Sequence, residues 1–264
     1  MPHSAPLLLS SAVRRSGTTL VQRLLSSAPN CLIYGETCAY DLQFGLQVYL
    51  SKQLQFQVRA AQQDALLAKV LAGDANDWIA DLMPPVADYL AAQKTHCLGV
   101  VDFLERYAVE QQRPVWGLKM AEWPVSQILQ IQRFLPPTRL VYIHRDLLGC
   151  VRSARRVQLY TSLQELEYFC QTWHQNYRAV RSQFPAEQLL LIDYQALLEQ
   201  PGPILAQLEA FSGARGIQAE VLHQRINTLK SDRQRAPKGD GYLPPTAELP
   251  EAERLLVDRY AALS

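Results

Sequence analysis

A short polar segment near the start of the chain combines the residue types that bind a phosphate or sulfate group. It follows an apolar run at residues 7–13 and precedes an amphipathic pattern, and its members are Arg15, Ser16, Gly17, Thr18 and Thr19. The first amides of a helix have no partner within it and the helix dipole favours negative charge, so strand–loop–helix segments of this kind bind anions. Gly17 lets the backbone approach a ligand closely, and Arg15 adds a planar guanidinium that matches phosphate oxygens. The segment therefore predicts an anion site.

A second basic segment, at residues 140–153, reads Leu-Val-Tyr-Ile-His-Arg-Asp-Leu-Leu-Gly-Cys-Val-Arg-Ser. Arg145 ends an apolar run that predicts a strand, and Ser153 lies two turns into the helix predicted to follow it. Their side chains can converge on one tetrahedral anion. The alternative is an ordinary surface ion pair between Arg145 and Asp146. The presence of the first anion segment favours the anion-binding interpretation.

The elements that must position these residues follow from the apolar pattern. Short apolar runs at residues 7–13, 31–34, 115–118, 140–143 and 189–192 predict strands, and helical patterns lie between them. Strands that alternate with helices indicate a largely parallel sheet with helices on both faces, an α/β fold. Lys119 directly follows one of these runs, so we expect it at the carboxyl edge of the sheet, near Arg15.

Residues 41–112 depart from this alternation. The segment is rich in Ala, Gln and Leu and predicts several helices with a break at Pro84 and Pro85. An insertion between the second and third strands would lie over the carboxyl edge, where open α/β sheets bind ligands, so we expect a helical cap. A helical layer that only packs on the sheet remains the alternative. With no repeat or long linker, residues 1–264 are interpreted as one domain.

Composition and charge narrow the classes of function. The chain has 26 basic and 25 acidic residues, a balance that gives no indication of nucleic-acid binding. No window approaches the roughly 18 to 20 apolar residues that span a bilayer, and no basic residues precede the first apolar run, so we expect a cytoplasmic protein without a membrane span. The five cysteines are scattered and no ligand spacing is present, so no metal is expected.

The two basic segments together resemble the PAPS-dependent sulfotransferases, where PAPS is 3′-phosphoadenosine 5′-phosphosulfate. Neither the G-x-x-x-x-G-K-[ST] pattern of nucleotide kinases nor the G-x-G-x-x-G pattern of dinucleotide enzymes occurs in them. The resemblance implies a three-layer fold like that of P-loop NTPases, with PAPS as co-substrate. It also implies that residues 15–19 form the 5′-phosphosulfate loop, and that Arg145 and Ser153 hold the 3′-phosphate.

Two further segments extend the resemblance. Residues 189–201 are similar to the family's strand followed by Tyr-Glu-x-Leu, with Gln195 in place of the Glu, and Tyr194 is implied as a nucleotide contact. An aromatic residue that only closes the core is the alternative for Tyr194. The basic tail at residues 230–238 corresponds to a late loop over the nucleotide, with Ser231 and Lys238 as candidates. The alternative for the tail is a solvated charged loop.

The segment Tyr34-Gly35-Glu36-Thr37 resembles tyrosylprotein sulfotransferases, in which such a Glu is the catalytic base. This resemblance implies Glu36 as general base, with Arg15 and Lys119 as the cations at the transferred group. It favours tyrosine of a protein or peptide as acceptor, a post-translational modification, and a homodimer. That branch has an Arg where this chain has Cys38. By residue type alone, other candidate bases are His96, His144, His174 and His223.

Two alternatives to the tyrosine acceptor stay open. One is a PAPS-dependent sulfotransferase that acts on a hydroxyl of a glycan, a lipid or a small molecule. The other is a non-catalytic nucleotide-binding module that retains only the fold. Candidates for every catalytic role argue against the second alternative.

Overall fold

The computed structural model of the chain describes residues 5–74, 82–135, 137–224, 226 and 248–263. The strands are β1 (Leu7–Ser11), β2 (Cys31–Tyr34), β3 (Val115–Lys119), β4 (Arg139–His144) and β5 (Leu189–Asp193). The α-helices are α1 (Thr18–Ser27), α2 (Glu36–Phe56), α3 (Ala60–Leu71), α4 (Val86–Glu110), α5 (Val125–Phe134), α6 (Leu147–Arg156), α7 (Leu163–Gln183), α8 (Tyr194–Glu199), α9 (Pro201–Ser212) and α10 (Glu251–Ala261). The chain divides into one unit of residues 1–39 and 107–264 and another of residues 40–106.

The strands of the described residues form one parallel sheet in the order β2-β3-β1-β4-β5. β1 lies in the middle, with Leu9 opposite Lys119 of β3 and Ser11 opposite Ile143 of β4. Because parallel strands end at the same edge, the loops after β1, β3 and β4 meet there. The predicted strands are confirmed, although β1 ends at Ser11, two residues earlier than expected, where the chain turns and the Ser11 hydroxyl donates to the Val13 carbonyl.

Helices cover both faces of this sheet. On one face, alternate strand residues pack against α1 in a cluster that includes Leu7, Leu9, Ile33, Val141, Ile143, Val21, Leu24 and Leu25. Strand residues of the opposite parity are buried as well, among them Leu8, Leu118, Leu140 and Tyr142. Two buried faces explain why the strands appear in the sequence as continuous apolar runs rather than alternating ones. The predicted three-layer α/β fold is confirmed.

The unit of residues 40–106 is helical, as the sequence predicts for this region. It contains α3 and most of α2 and α4, and α4 begins directly after Pro85. Within this unit the Asp64 carboxylate accepts a hydrogen bond of 2.9 Å from the Val86 amide, and the rings of Phe56 and Tyr89 meet edge to face. Although α2 has 21 residues and α4 has 25, the described helices include none that is apolar enough to cross a bilayer. The role of this unit as a cap stays a prediction.

The close approach of β3 to β1 depends on a glycine. A Cβ atom at Gly117 would lie 2.1 Å from the Leu7 carbonyl oxygen and 3.0 Å from Cδ1 of Ile33. Since neither the backbone nor the packed core can retreat, we expect Gly117→Ala to lower the free energy of unfolding by about 1–3 kcal/mol. Urea unfolding measures this change.

Gly202→Ala is the matched control, because Gly202 lies in α9 and a Cβ there meets nothing within 4 Å. Alanine is the better helix former, so the control should be neutral or stabilising by up to about 1 kcal/mol. Equal destabilisation by the two variants would contradict the steric explanation.

Candidate active site

The loop between β1 and α1 has an unusual backbone. Arg15 and Gly17 both lie in the left-handed region, with φ of 72° and 102°, and α1 begins at Thr18. A Cβ atom at Gly17 would lie 2.6 Å from Cδ2 of Tyr194, so only glycine fits beneath this ring. Because the N-cap residue is glycine, it places no side chain on the first amides of α1. These amides are the groups that bind anions in such loops.

The two basic segments predicted from the sequence meet at this loop. The Arg15 Nε donates to the Ser153 Oγ at 3.1 Å, and the Arg145 guanidinium donates to the Arg15 carbonyl oxygen, also at 3.1 Å. The Arg145 guanidinium also lies 4.5 Å from the centre of the Tyr194 ring. The structure therefore brings together Arg15, Gly17, Arg145, Ser153 and Tyr194, as the resemblance implies.

Positive charge is concentrated at this meeting point. The pKa of Arg15 is lowered, first by burial and then by the nearby charges of Arg145 and Arg156. Like charges held together in a partly desolvated place favour a bound anion, which would relieve their repulsion. The arrangement can therefore hold a phosphate or sulfate group.

Ser16 has a different position from its neighbours. Its side chain is fully buried, and its hydroxyl donates to the Val13 carbonyl at 2.8 Å and lies 3.4 Å from the Cys150 sulfur. The hydroxyl thus holds the loop in shape, while a ligand contact by Ser16 stays a prediction. Thr18 is also buried, whereas Thr19 is half-buried.

Asp146 acts as a helix cap in this structure. Its Oδ1 accepts a hydrogen bond of 2.6 Å from the Gly149 amide at the start of α6. The carbonyl of Arg145 accepts a bond of 3.0 Å from the Trp173 indole, which ties the end of β4 to α7. The guanidinium of Arg145 is directed to the Arg15 carbonyl and the Tyr194 ring, as described above, which favours the anion-binding interpretation of this segment over a simple surface ion pair.

A carboxylate and an ammonium group lie at the same edge of the sheet. Glu36 is the first residue of α2, separated from β2 by Gly35 alone, and Lys119 is the last residue of β3. The Lys119 Nζ donates to the Glu36 Oε1 at 2.5 Å. Lys119 is buried, while the Glu36 side chain is 40% exposed and open to an incoming group. This pair can accept a proton and offset a developing negative charge, the two tasks assigned to it from the sequence.

Sequence reasoning missed a second ion pair beside the first. The Arg14 Nε lies 2.6 Å from the Glu122 Oε1, which belongs to the loop after β3. Burial raises the pKa of the Glu122 carboxyl; the Arg14 guanidinium opposes this and the Glu36 carboxylate adds to it. No motif contains Glu122, and its only signal in the sequence is its place three residues after Lys119, in a loop at the carboxyl edge.

Other candidates lie elsewhere or outside the described residues. Ser231 and Lys238 fall outside them. His144, at the end of β4, stacks on the Tyr177 ring with centroids 3.9 Å apart, and burial lowers the pKa of its imidazole. His144 is thus engaged in an aromatic stack, and Glu36 is the carboxylate that contacts Lys119.

Comparison with known proteins identifies the family and the fold of the chain. A family described as the Sulfotransferase family matches residues 11–217. The sulfotransferase domain of the Synechococcus PCC 7002 olefin synthase has a similar fold, with a TM-score of 0.53, 15% identity, and coverage of 99% of this chain and 95% of that domain. The sulfotransferase domain from the curacin biosynthetic pathway is similar with a TM-score of 0.50 and 13% identity. The match covers 97% of this chain and 98% of that domain. No curated protein sequence shows significant similarity.

The family match covers more than half of the chain and spans residues 15–19, Glu36, Lys119, Arg145, Ser153 and Tyr194. PAPS is the general co-substrate of this family. The fold and the paired charges at the carboxyl edge agree with that assignment, and the chain therefore belongs to the Sulfotransferase family and is a sulfotransferase enzyme.

Proposed function

We propose that this enzyme transfers the sulfuryl group of PAPS to a hydroxyl group of a small biosynthetic molecule. The observation that carries the proposal is the ion pair of Glu36 and Lys119 at the sheet edge that also bears the Arg15 loop. Acceptor activation and donor binding require these two sites to be neighbours, because the acceptor oxygen must attack in line with the leaving oxygen.

The donor would bind along the loop after β1 and the start of α6. The amides at the start of α1 and the Arg15 guanidinium suit the 5′-phosphosulfate, and Arg145 with Ser153 suits the 3′-phosphate. The contact of Arg15 Nε with Ser153 Oγ makes these two anion sites adjacent. Tyr194, which packs on Gly17 and lies beside Arg145, would contact the nucleotide between them.

The transfer requires that a proton leave the acceptor as its oxygen bonds to sulfur. Glu36 accepts that proton, and the bond between sulfur and the bridging phosphate oxygen breaks. Lys119 donates to the bridging oxygen, where negative charge develops, so the leaving group is the 3′,5′-bisphosphate nucleotide. Lys119 can serve both groups in turn because its ammonium group contacts Glu36 at the edge where the donor loop lies.

Two observations bear on the acceptor. The similar domains from the olefin synthase and from the curacin pathway belong by their names to biosynthetic enzymes, which supports a small biosynthetic acceptor. The segment Gly35-Glu36-Thr37, with its contact to Lys119, supports a second candidate, tyrosine in a peptide or protein. In that second proposal, the enzyme is a cytoplasmic homodimer that modifies peptides.

Replacement of the proposed base tests the chemistry. We expect Glu36→Gln to lower kcat by about 10²- to 10⁴-fold, because a positioned general base contributes that much. The Kd for the 3′,5′-bisphosphate nucleotide, measured by calorimetry, should stay nearly constant. Glu187→Gln is the control, since Glu187 is exposed and precedes β5 at the opposite end of the strand from the site. Unchanged turnover in Glu36→Gln would assign Glu36 a structural role.

The acceptor class is tested with the same pair of proteins. Transfer of labelled sulfate from PAPS is measured on hydroxylated acyl compounds, phenols, oligosaccharides and tyrosine peptides with acidic flanks. We expect labelling of the small hydroxyl compounds, abolished by Glu36→Gln. Labelling confined to peptides would replace the small-molecule proposal with the second candidate.

The donor site makes a separate prediction. Arg145→Ala removes charge-assisted hydrogen bonds to a phosphate, so the nucleotide Kd should rise roughly 10- to 100-fold. Ser153→Ala removes one neutral hydroxyl and should raise it only about 2- to 10-fold. The control is Arg178→Ala, an exposed arginine of α7. Equal Kd values for Arg145→Ala and the control would contradict the assignment of the 3′-phosphate site.

A further inference from the structure

The ion pair of Arg14 and Glu122 connects two loops of the site. Arg14 directly precedes Arg15 in the loop after β1, and Glu122 lies three residues after Lys119 in the loop after β3. The pair thus joins the donor-binding loop to the loop that follows the lysine at the transferred group. Neither residue has a role in the function proposed above.

The backbone around Glu122 is held firmly against β1. The Met120 amide donates to the Leu9 carbonyl at 3.0 Å, the Trp123 amide donates to the Ser10 hydroxyl at 3.3 Å, and the Trp123 side chain is fully buried. Glu122 lies between these two anchors with φ of 55°, a left-handed conformation that persists only where the surroundings impose it. The backbone of Glu122 therefore has a fixed position relative to the strand that leads into the donor loop.

The exposure of the pair indicates what it contributes. The Arg14 side chain is 46% exposed and that of Glu122 is 30% exposed. Ion pairs at this level of exposure add little to the stability of a protein, because solvent screens them and two long side chains lose freedom. The pair therefore adds little to the free energy of unfolding of the protein. Its effect is local, because it orients the Arg14 side chain.

The ion pair also lies near the proposed base. The charge of Glu36 is close enough to raise the pKa of Glu122, and Glu36 accepts a hydrogen bond from Lys119.

We propose that Glu122 is a positioning residue of this sulfotransferase, which through its ion pair with Arg14 fixes the donor loop between β1 and α1. This inference rests on the proposed role of that loop in binding PAPS. Its effect acts through Arg14, and Glu122 itself needs no contact with either substrate.

The test compares Glu122→Gln, Arg14→Gln, the double variant Arg14→Gln/Glu122→Gln and the charge-swapped variant Arg14→Glu/Glu122→Arg. Glu167→Gln is the matched control, because Glu167 pairs with Arg259 between α7 and α10 at comparable exposure. Hydrogen exchange of the peptide covering residues 12–19 reports the loop without any acceptor. Turnover, nucleotide Kd and Tm are measured on the same proteins.

We expect Glu122→Gln to speed exchange in residues 12–19 and to lower kcat by about tenfold, a loss typical of slightly misplaced reacting groups. The nucleotide Kd should change less than kcat, and Tm should remain near that of the control. Arg14→Gln should act like Glu122→Gln, and Arg14→Gln/Glu122→Gln should lose no more kcat than either single variant, because all three lack the same ion pair. The charge-swapped variant should recover the slow exchange.

Three results would overturn the inference. They are unchanged exchange and kcat in Glu122→Gln, a fall in Tm that accounts for the loss of activity, and a double variant whose loss of kcat equals the product of the two single losses. Failure of the proposed function is distinguishable, because the wild type would then transfer no sulfate to any acceptor while the exchange measurement would still report the loop.

Discussion

The order of the parallel sheet is the constraint on which the site depends. β1 lies between β3 and β4, so the ends of these three strands meet at one edge, where Arg15, Lys119 and Arg145 lie. Parallel pairing thus brings three cations from distant parts of the sequence to the same edge. The close pairing of β1 and β3 in turn requires the missing side chain of Gly117. The steric fit of β3 against β1 in the core therefore also determines where the charged residues at the sheet edge lie.

The charges at this edge are of two kinds. Arg15 and Arg145 are held close together near Ser153 and Tyr194, and their mutual repulsion makes this part of the edge suited to an anion. Lys119 and Arg14 are paired with Glu36 and Glu122. The first group suits a donor with several negative charges, and the second places a proton acceptor beside it without adding net charge.

Local patterns in the sequence predicted the strands, because each depends on neighbours within a few positions. Arg145, Ser153 and Tyr194 were predicted from segments that resemble motifs of a known family, and their roles in binding stay predictions. Glu122 was not predicted because its role depends on an ion pair with Arg14, which lies on another loop. The same applies to Asn176 of α7, whose side-chain amide donates to the Ala12 carbonyl, and to Glu253 of α10, which accepts from Arg155 and Tyr160. Such contacts are set by the packed fold and leave no periodic signal.

The contact between Gly17 and Tyr194 also has a consequence for how the protein is made. Gly17 directly precedes α1, while Tyr194 follows β5, the last strand of the sheet in the described residues. The contact that closes this loop therefore forms only after all five of these strands have been synthesised. Nascent chains that end before β5 lack this contact, so the loop between β1 and α1 reaches its final surroundings long after its own residues have been made.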